Sequence, residues 1–531
     1  MCGIYFHHGT PTIKTPREEL TNCAYLCKAR GPDQTIIIED FNYFMCFHRL
    51  GINGIGPEGS QPFTFGDFIY MCNGEIYNYK QLAKAHSITL TPNGSDCEII
   101  GHLLQKFPVA EIPNMLEGYF AVVIYNKVSN YFQAFTDNLG VKPLYYGYDY
   151  NGYTIASELK CIKEKNAFKL TPEMMLSKSA DHFKLIGKLQ GKYYDKSNTL
   201  VINSAINKMN FEQIMSTGII YNSLMTAVKK RVECMDKSIQ FGCFLSGGLD
   251  SSIVCAILAS LVTPNRLNTF SIGLAHSEDL QAARVLAAHI NSIHHEYIVT
   301  EEQLLEEIEN VIECVETYDT TTIRASTPMY LLCKRISCEY PAIKVIFSGE
   351  LADELSGSYK YFKFCPNDIS HKSEVTKLIR NVNTFDLLRA DKTTAHHGLE
   401  IRVPFADVEF MYNYLSIEAG VMRSGDMEKW ILRHSFKHLL PSEIAWRSKM
   451  AFSDGISSAE NPWFKMIKQH VDKLQIPPQN YNYLKPRDDE TAYYRYVFEK
   501  LFPGRESVIR SYWMPNASWC PEATDPSALT L

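Results

Sequence analysis

The chain has 531 residues, 45% hydrophobic and 21% charged, and 53 basic against 59 acidic side chains leave a net charge of −6. Such a length implies two or more globular domains, and charges without long runs of one sign give no pull toward nucleic acid or a membrane surface. The 15 cysteines are scattered without a C-x-x-C pair, which excludes a zinc ribbon or a disulfide framework and makes the reducing cytoplasm the expected compartment.

The N-terminus reads MCGI. Removal of Met1 before so small a residue would leave a thiol and a free α-amine together on Cys2. That residue is either an incidental cysteine or a nucleophile carrying its own base. Residues 1–195 hold short β-type runs such as Phe68–Cys72 and Phe120–Tyr125, punctuated by Gly, Pro and Asn. HRLGIN places Arg49 after an apolar run, as a carboxylate clamp. GIGPEG (Gly54–Gly59) matches G-x-G-x-x-G formally, but Pro57 lies inside it and no strand–helix pair brackets it, so it reads as a loop. In CNGEIYN, the Asn73 amide and the Gly74 N–H could converge on one oxygen as an oxyanion hole, or form a tight hairpin turn. GSDCE offers Asp96 as a partner for an ammonium group. The sequons at Asn93 and Asn516 read as chance matches, and no apolar run reaches membrane-spanning length.

Residues 196–216 lack a period and read as a connection. From Ser238 the texture changes. SIQFGCFL is a strand, Ile253–Leu261 a helix, LNTFSIGL a strand. SEDLQAARVLAAHINS is a helix with Leu280, Ala283, Ala287 and Ile290 on one face. HHEYIVT is a strand, EEQLLEEIENVIECVE a helix, and AIKVIFSG a strand. This alternation predicts a parallel α/β sheet, whose ligands bind where the chain leaves the carboxyl ends of strands. SGGLDSS lies at such a place. Gly247 and Gly248 allow close backbone approach, Ser246, Ser251 and Ser252 add donors for phosphate oxygens, and Asp250 could hold Mg²⁺. No Lys-Ser/Thr follows the glycines, so it is not a Walker A loop. SGELADE gathers Glu350, Asp353 and Glu354, either a solvated helix start or ligands for Mg²⁺ and a base. In TYDTTTIRAS, Arg324 with Thr321 and Thr322 could grip a carboxylate, or the stretch is a capped helix start. Lys449, in RSKMAFSDG, is a point charge suited to a departing pyrophosphate.

MCGI, ARGPD, FHRLGIN, CNGEIYN, GVKPLYY, LSGGLDSS, VIFSGE, RADKTTAHHGLEIRVPF, SKMAFSDG and YWMP occur in one order across nearly the whole chain. In this it resembles the glutamine-hydrolysing asparagine synthetases, and SGGLDSS resembles the pyrophosphate loop of N-type ATP pyrophosphatases. The resemblance implies a glutamine amidotransferase domain over residues 1–195, an N-terminal-nucleophile α/β/β/α sandwich of antiparallel sheets. A linker at 196–216 and an α/β synthetase domain with a parallel sheet at 217–531 would follow. It further implies that glutamine is hydrolysed in the first domain and that its ammonia passes through an internal channel. In the second domain aspartate and MgATP would form β-aspartyl-AMP and pyrophosphate, and ammonia would displace AMP to give asparagine.

By the same resemblance, Cys2 is the nucleophile with its α-amine as base, and Asn73 and Gly74 form the oxyanion hole. Arg49, Leu50, Gly51, Ile52, Asn53, Glu75 and Asp96 line the glutamine pocket, Arg49 taking the carboxylate and Asp96 the amine. Ser246, Gly247, Gly248, Asp250 and Ser251 hold the pyrophosphate end of ATP, and Phe244, Ile272, Ser348 and Gly349 the nucleoside. Glu350 acts around the adenylate, Asp353 joins Asp250 near metal, Lys449 follows the pyrophosphate, and Thr321, Thr322 and Arg324 lie near aspartate. The sequence departs from the family pattern at Ala29, Phe244, Leu351 and Met450, where histidine, leucine, glycine and an acid are usual. A homodimer is the expected assembly. The rival readings are adenylation of another carboxylate, as in a β-lactam-forming or peptide-modifying homologue, and a non-catalytic regulatory protein; retention of Cys2 and TTIRAS favours asparagine.

Overall fold

The computed structural model describes residues 1–9, 15–179, 182–187, 218–417, 427–458, 460–477 and 479–530, so the connection expected at 196–216 lies outside the described residues. The first half contributes β1 (Gly3–Gly9), β2 (Gln34–Glu39), β3 (Tyr43–Arg49), β4 (Phe63–Phe65), β5 (Phe68–Ile76), β6 (Gly118–Asn126), β7 (Tyr131–Thr136), β8 (Tyr145–Asp149), β9 (Gly152–Ala156), β10 (Asn166–Lys169), β11 (Met174–Ser179) and β12 (His182–Gly187). They form two antiparallel sheets of six strands, ordered β10-β8-β9-β1-β3-β2 and β12-β11-β7-β6-β5-β4.

Period-two alternation decides how these sheets stack. Ile4, Phe6, Met45 and Phe47 of the first sheet pack against Ile69, Met71, Ala121 and Val123 of the second. Their sequence neighbours point outward. Tyr5, Phe44 and Cys46 share a core with Leu20, Cys23 and Ala24 of the helix Arg17–Tyr25. Tyr70, Cys72, Val122 and Ile124 share one with Leu82, Ile99, Ile100 and Leu103 of the helices Tyr79–Ala85 and Glu98–Leu104. The result is the α/β/β/α sandwich expected from the resemblance.

The second half builds a parallel sheet from β13 (Gln240–Phe244), β14 (Asn268–Gly273), β15 (Ile293–Ile298), β16 (Ile343–Phe347) and β17 (Glu400–Arg402), ordered β15-β14-β13-β16-β17. The helix expected over EEQLLEEIENVIECVE is interrupted at Glu307, giving Glu301–Glu306 and Ile308–Val315. The strand order reverses between β13 and β16. Such a reversal opens a crevice at the carboxyl ends of the two strands, and SGGLDSS and SGELADE are the loops that leave them.

The halves meet through buried charge. Arg30 bonds Glu158 and Asp391 at 2.5 and 2.7 Å, and Lys392 joins Glu158 to Glu316. Arg231 bonds Asp407 at 2.9 Å and also reaches the Tyr119 hydroxyl. Among the described residues, no helix is long and apolar enough to cross a membrane.

Candidate active sites

Cys2 leads into β1, a central strand of its sheet, so its position is fixed by backbone pairing to β3 and β9. The Leu50 N–H approaches the sulfur at 3.5 Å, the thiol lies 3.8 Å from the Leu50 carbonyl, and Arg30 Nε donates to the Cys2 carbonyl at 3.0 Å. The Cys2 backbone nitrogen donates to Asn73 Oδ1 at 2.7 Å, while Asn73 Nδ2 is buried without a partner among the described residues. A buried amide donor left unpaired beside a thiol is what an oxyanion site requires. Gly74, at φ +153°, tolerates no side chain, because a Cβ would sit 2.0 Å from the Tyr119 carbonyl oxygen. Burial raises the Cys2 thiol above its ordinary value, opposed by the adjacent ammonium and by Arg49. Met1 is buried, its nitrogen 3.8 Å from Glu400 and brought down to about 6 by desolvation.

Arg49 is held by the loop that looked empty of function. Its guanidinium donates to the carbonyls of Gly54 and Gly56 and, at 3.4 Å, to Ser60 Oγ. All are neutral oxygens, which leaves its charge available for a carboxylate. Gly59 permits the cradle, since a Cβ there would lie 2.0 Å from Gly54 O and 2.5 Å from Arg49 Nη2. At the other end, Asp96 accepts from Ile76 N and is pushed up to about 6 by burial. Glu75 is raised well above its ordinary value by burial and by Asp96. Burial outweighs the nearby Arg402 guanidinium at both acids, so a substrate ammonium seated beside them would favour their ionised forms. Gly51 N bonds Asp33 at 2.7 Å and Asn53 Nδ2 lies 3.7 Å from Cys234 Sγ. The Ile52 carbonyl accepts from Asp236 N at 2.9 Å.

The second site is a cavity of about 160 Å³ in the crevice between β13 and β16. Phe244, Ser246, Gly248, Asp250, Ser251, Ile272, Ser348, Gly349, Glu350, Asp353, Thr321 and Lys449 all line it, with Met450 beside them. Gly248 caps the helix Leu249–Val262 without a side-chain cap, so first-turn N–H groups face the loop, and Ser246 and Ser251 hydroxyls bond at 3.0 Å. Gly349 lets the two loops touch: a Cβ there would lie 2.7 Å from Ser251 N. Gly247, at φ +74°, serves packing instead of ligand approach, since its Cβ would meet Ala282 and Ala283 on the neighbouring helix.

Charge in the cavity is ordered around Asp353. Its Oδ1 pairs with Lys429 at 2.6 Å and its Oδ2 with Lys449 at 2.6 Å, and Lys429 also reaches Asp250 Oδ2. Burial opposes ionisation of Asp353, but the two lysines hold it well below the usual carboxylate range. The ammonium of Lys429 between two carboxylates, and a buried Asp250 Oδ1 without a partner among the described residues, mark a place that demands cationic charge and offers hard oxygen donors. A Mg²⁺ ion fits that donor set. Glu350 accepts from Arg389 at 2.8 Å, and Arg389 also bonds Asp386 at 2.9 Å while its Nε is buried unpaired.

The region expected around aspartate divides. On the helix Thr320–Glu339, positions 321, 325 and 329 line the cavity at helical spacing, with the Thr321 hydroxyl unpaired. Thr322 is committed to the N-cap, its N and Oγ bonding Asp319 at 2.9 and 2.7 Å. Arg324 is saturated by Glu490 at 2.9 and 2.6 Å and by Asp525 at 2.8 Å to each oxygen, so its fork is turned to the C-terminal segment. Lys429, Asp386, Arg389, Arg402 and Cys234 were not singled out from sequence. RADKTTAHHGLEIRVPF carried the signal for Arg389 and Arg402, while GDMEKW and RVECMD contain no pattern that selects Lys429 or Cys234. Leu351 does take the left-handed backbone, at φ +74°, and is 1% exposed. The strain costs about 1–2 kcal/mol, and burying a leucine returns roughly 1.5–3 kcal/mol, so the substitution for glycine is tolerated. Nothing in the structure explains Ala29, which is exposed.

Comparison with known proteins places the whole chain. The asparagine synthase family model matches residues 220–377 and 366–520, and a glutamine amidotransferase domain model matches residues 1–222. The glutamine-hydrolysing asparagine synthetase of Gallus gallus is 38% identical over 572 aligned positions, spanning 100% of this chain and 98% of that one. The chain belongs to the asparagine synthetase family. The Homo sapiens asparagine synthetase is 36% identical, covering 100% of this chain and 98% of its own. A probable asparagine synthetase of Acanthamoeba polyphaga mimivirus is 35% identical with both chains covered in full. This family of asparagine synthetases therefore extends over both sites described above.

Proposed function

We propose that the protein synthesises asparagine from aspartate and ATP with nitrogen taken from glutamine. The observation that carries this reading is the presence, in one chain, of a framed Cys2 thiol with an unpaired Asn73 donor and of a phosphate-type loop facing paired acids and lysines. In the first site Arg49 takes the α-carboxylate of glutamine, and Asp96 with Glu75 takes its ammonium. Once Met1 is removed, the Cys2 nitrogen is an amine that accepts the thiol proton, and the ordinary values of ~8.5 and ~7.7–8.0 allow that exchange near neutrality. The sulfur attacks the carboxamide carbon, Asn73 Nδ2 and Gly74 hold the oxyanion, ammonia leaves, and water cleaves the thioester to glutamate.

In the second site the helix N-terminus and the Ser246 and Ser251 hydroxyls receive the pyrophosphate end of ATP, and Phe244 and Ile272 flank the nucleoside. Asp250 and Asp353 would hold Mg²⁺, which when bound would supply charge neutralisation at the phosphates. Arg389 lines this cavity, as do Arg433, Arg447 and Thr321, whereas Arg324 does not; with its Nε buried and unpaired among the described residues, Arg389 takes the substrate carboxylate. A β-carboxylate oxygen of aspartate attacks the α-phosphorus, Lys449 follows the departing pyrophosphate, and ammonia displaces AMP from the acyl carbon while Glu350 receives its proton. Aspartate carrying ¹⁸O in its β-carboxylate tests the adenylate: one ¹⁸O atom is expected in each AMP. ¹⁸O found only in asparagine, with none in AMP, would refute it.

A further inference from the structure

Arg402 belongs to the synthetase sheet, yet its side chain lies in the wall of the glutamine pocket. It ends β17, in register with Phe347 of β16, and its carbonyl accepts from Ser348 N at 2.9 Å. Ser348 opens the loop that lines the ATP cavity. The guanidinium is fully buried: Nε donates to Glu400 Oε1 at 2.9 Å, Nη1 bonds the Arg231 carbonyl, and Nη2 lies 3.2 Å from Glu75 Oε1. The other Glu75 oxygen accepts from Cys234 Sγ at 3.3 Å. Both oxygens of this pocket carboxylate are therefore held from the synthetase half, and neither contact comes from its own sheet. Glu400, the second acid on Arg402, is itself 3.8 Å from the nitrogen of Met1, next to Cys2.

We propose that Arg402 is a positioning residue through which occupancy of the ATP site and of the glutamine site are coupled. Its backbone reads the Ser348 loop and its side chain sets the Glu75 carboxylate. The guanidinium is planar with fixed donor directions, so a shift of the β16–β17 end reaches Glu75 with little slack in a close-packed interior. The contact to Glu75 is an ion pair whose hydrogen-bond alignment is unmet, so a small movement makes or breaks it. A ligand shifts such an arrangement only by binding its two forms unequally, and that inequality must act in both directions.

This inference rests on the reading of the two cavities as glutamine and ATP sites, and the test separates the two claims. Full-length Cys2→Ala protein binds without turning glutamine over. Its glutamine Kd is measured with and without MgATP, and its ATP Kd with and without glutamine. The expected factors are equal and about 5-fold or more. Adding Arg402→Met should bring both factors to about 1 while ammonium-driven synthesis, measured with Cys2 restored, persists; Arg402→Lys should recover part of the coupling. Arg402→Gln, which keeps hydrogen-bonding groups and removes the charge at the same contact, gives the second readout if Arg402→Met fails to fold. Binding of both ligands with no mutual effect, or coupling unchanged in Arg402→Met and Arg402→Gln, overturns the role of Arg402. Failure of either ligand to bind the Cys2→Ala protein that keeps Arg402 overturns the site assignment beneath it.

Discussion

Cys2→Ala is expected to lower glutamine-dependent asparagine formation by about 10⁴-fold or more and to leave ammonium-driven formation within about 2-fold. The reasoning is geometric. The sulfur is the only atom removed, and its contacts to Leu50, at 3.5 and 3.8 Å, are long ones whose loss costs the fold little. The Asn73 donor, the Arg49 cradle and β1 pairing remain, so glutamine still binds. What disappears is the sulfur placed beside the Asn73 donor to form the thioester. Among the described residues the synthetase cavity takes its lining from residues 244–453 and none from the first sandwich, so it should not register the change. Parallel assays with glutamine and with ammonium read the contrast, and equal losses with both nitrogen sources would place Cys2 in a structural role.

Asp353→Asn should produce the opposite pattern. In the native protein Asp353 stands between Lys429 and Lys449 and also accepts from Ser358 Oγ at 2.6 Å. Neutralising it leaves two close ammonium groups with Asp250 as the remaining partner, and removes a hard oxygen donor from the place a cation would occupy. Loss of one preorganised charged group at a developing-charge site is worth about 10²–10³-fold. Synthesis should fall by that factor with either nitrogen source, while glutamine hydrolysis to glutamate continues within a few-fold. The retained glutaminase also shows that the variant is folded. A fall confined to the glutamine-driven reaction would mean that Asp353 acts on the first site.

The parts of this architecture written in local patterns were legible in the sequence. Short β-type runs marked strands where β5 and β6 lie and the family resemblance implied the sandwich, while strand–helix alternation marked the parallel sheet and its two ligand-facing loops. Asp250 could be named from its loop alone, whereas Cys2, Asn73, Asp353 and Lys449 each had a bland local reading and took their roles from the ordered motifs of the family resemblance. What escaped depends on tertiary distance. β17 is only three residues long, too short to show a period. Arg402 gains meaning from Glu75, and Lys429 from Asp250, across separations no local pattern records. The same limit explains Arg324: TTIRAS resembles a carboxylate grip, but Glu490 and Asp525, far along the chain, satisfy its fork first. GIGPEG failed as a nucleotide motif for sound reasons, yet its carbonyls and Gly59 are what holds Arg49 in place.

The most direct test follows the nitrogen and the phosphorus together. Glutamine labelled with ¹⁵N at the side-chain amide is supplied with aspartate and MgATP to the mature protein, and asparagine, AMP and pyrophosphate are measured. The two-site reading predicts ¹⁵N in the amide of asparagine, with one AMP and one pyrophosphate formed for each. Label recovered only as free ammonium without asparagine, or ADP and phosphate in place of AMP and pyrophosphate, would contradict it.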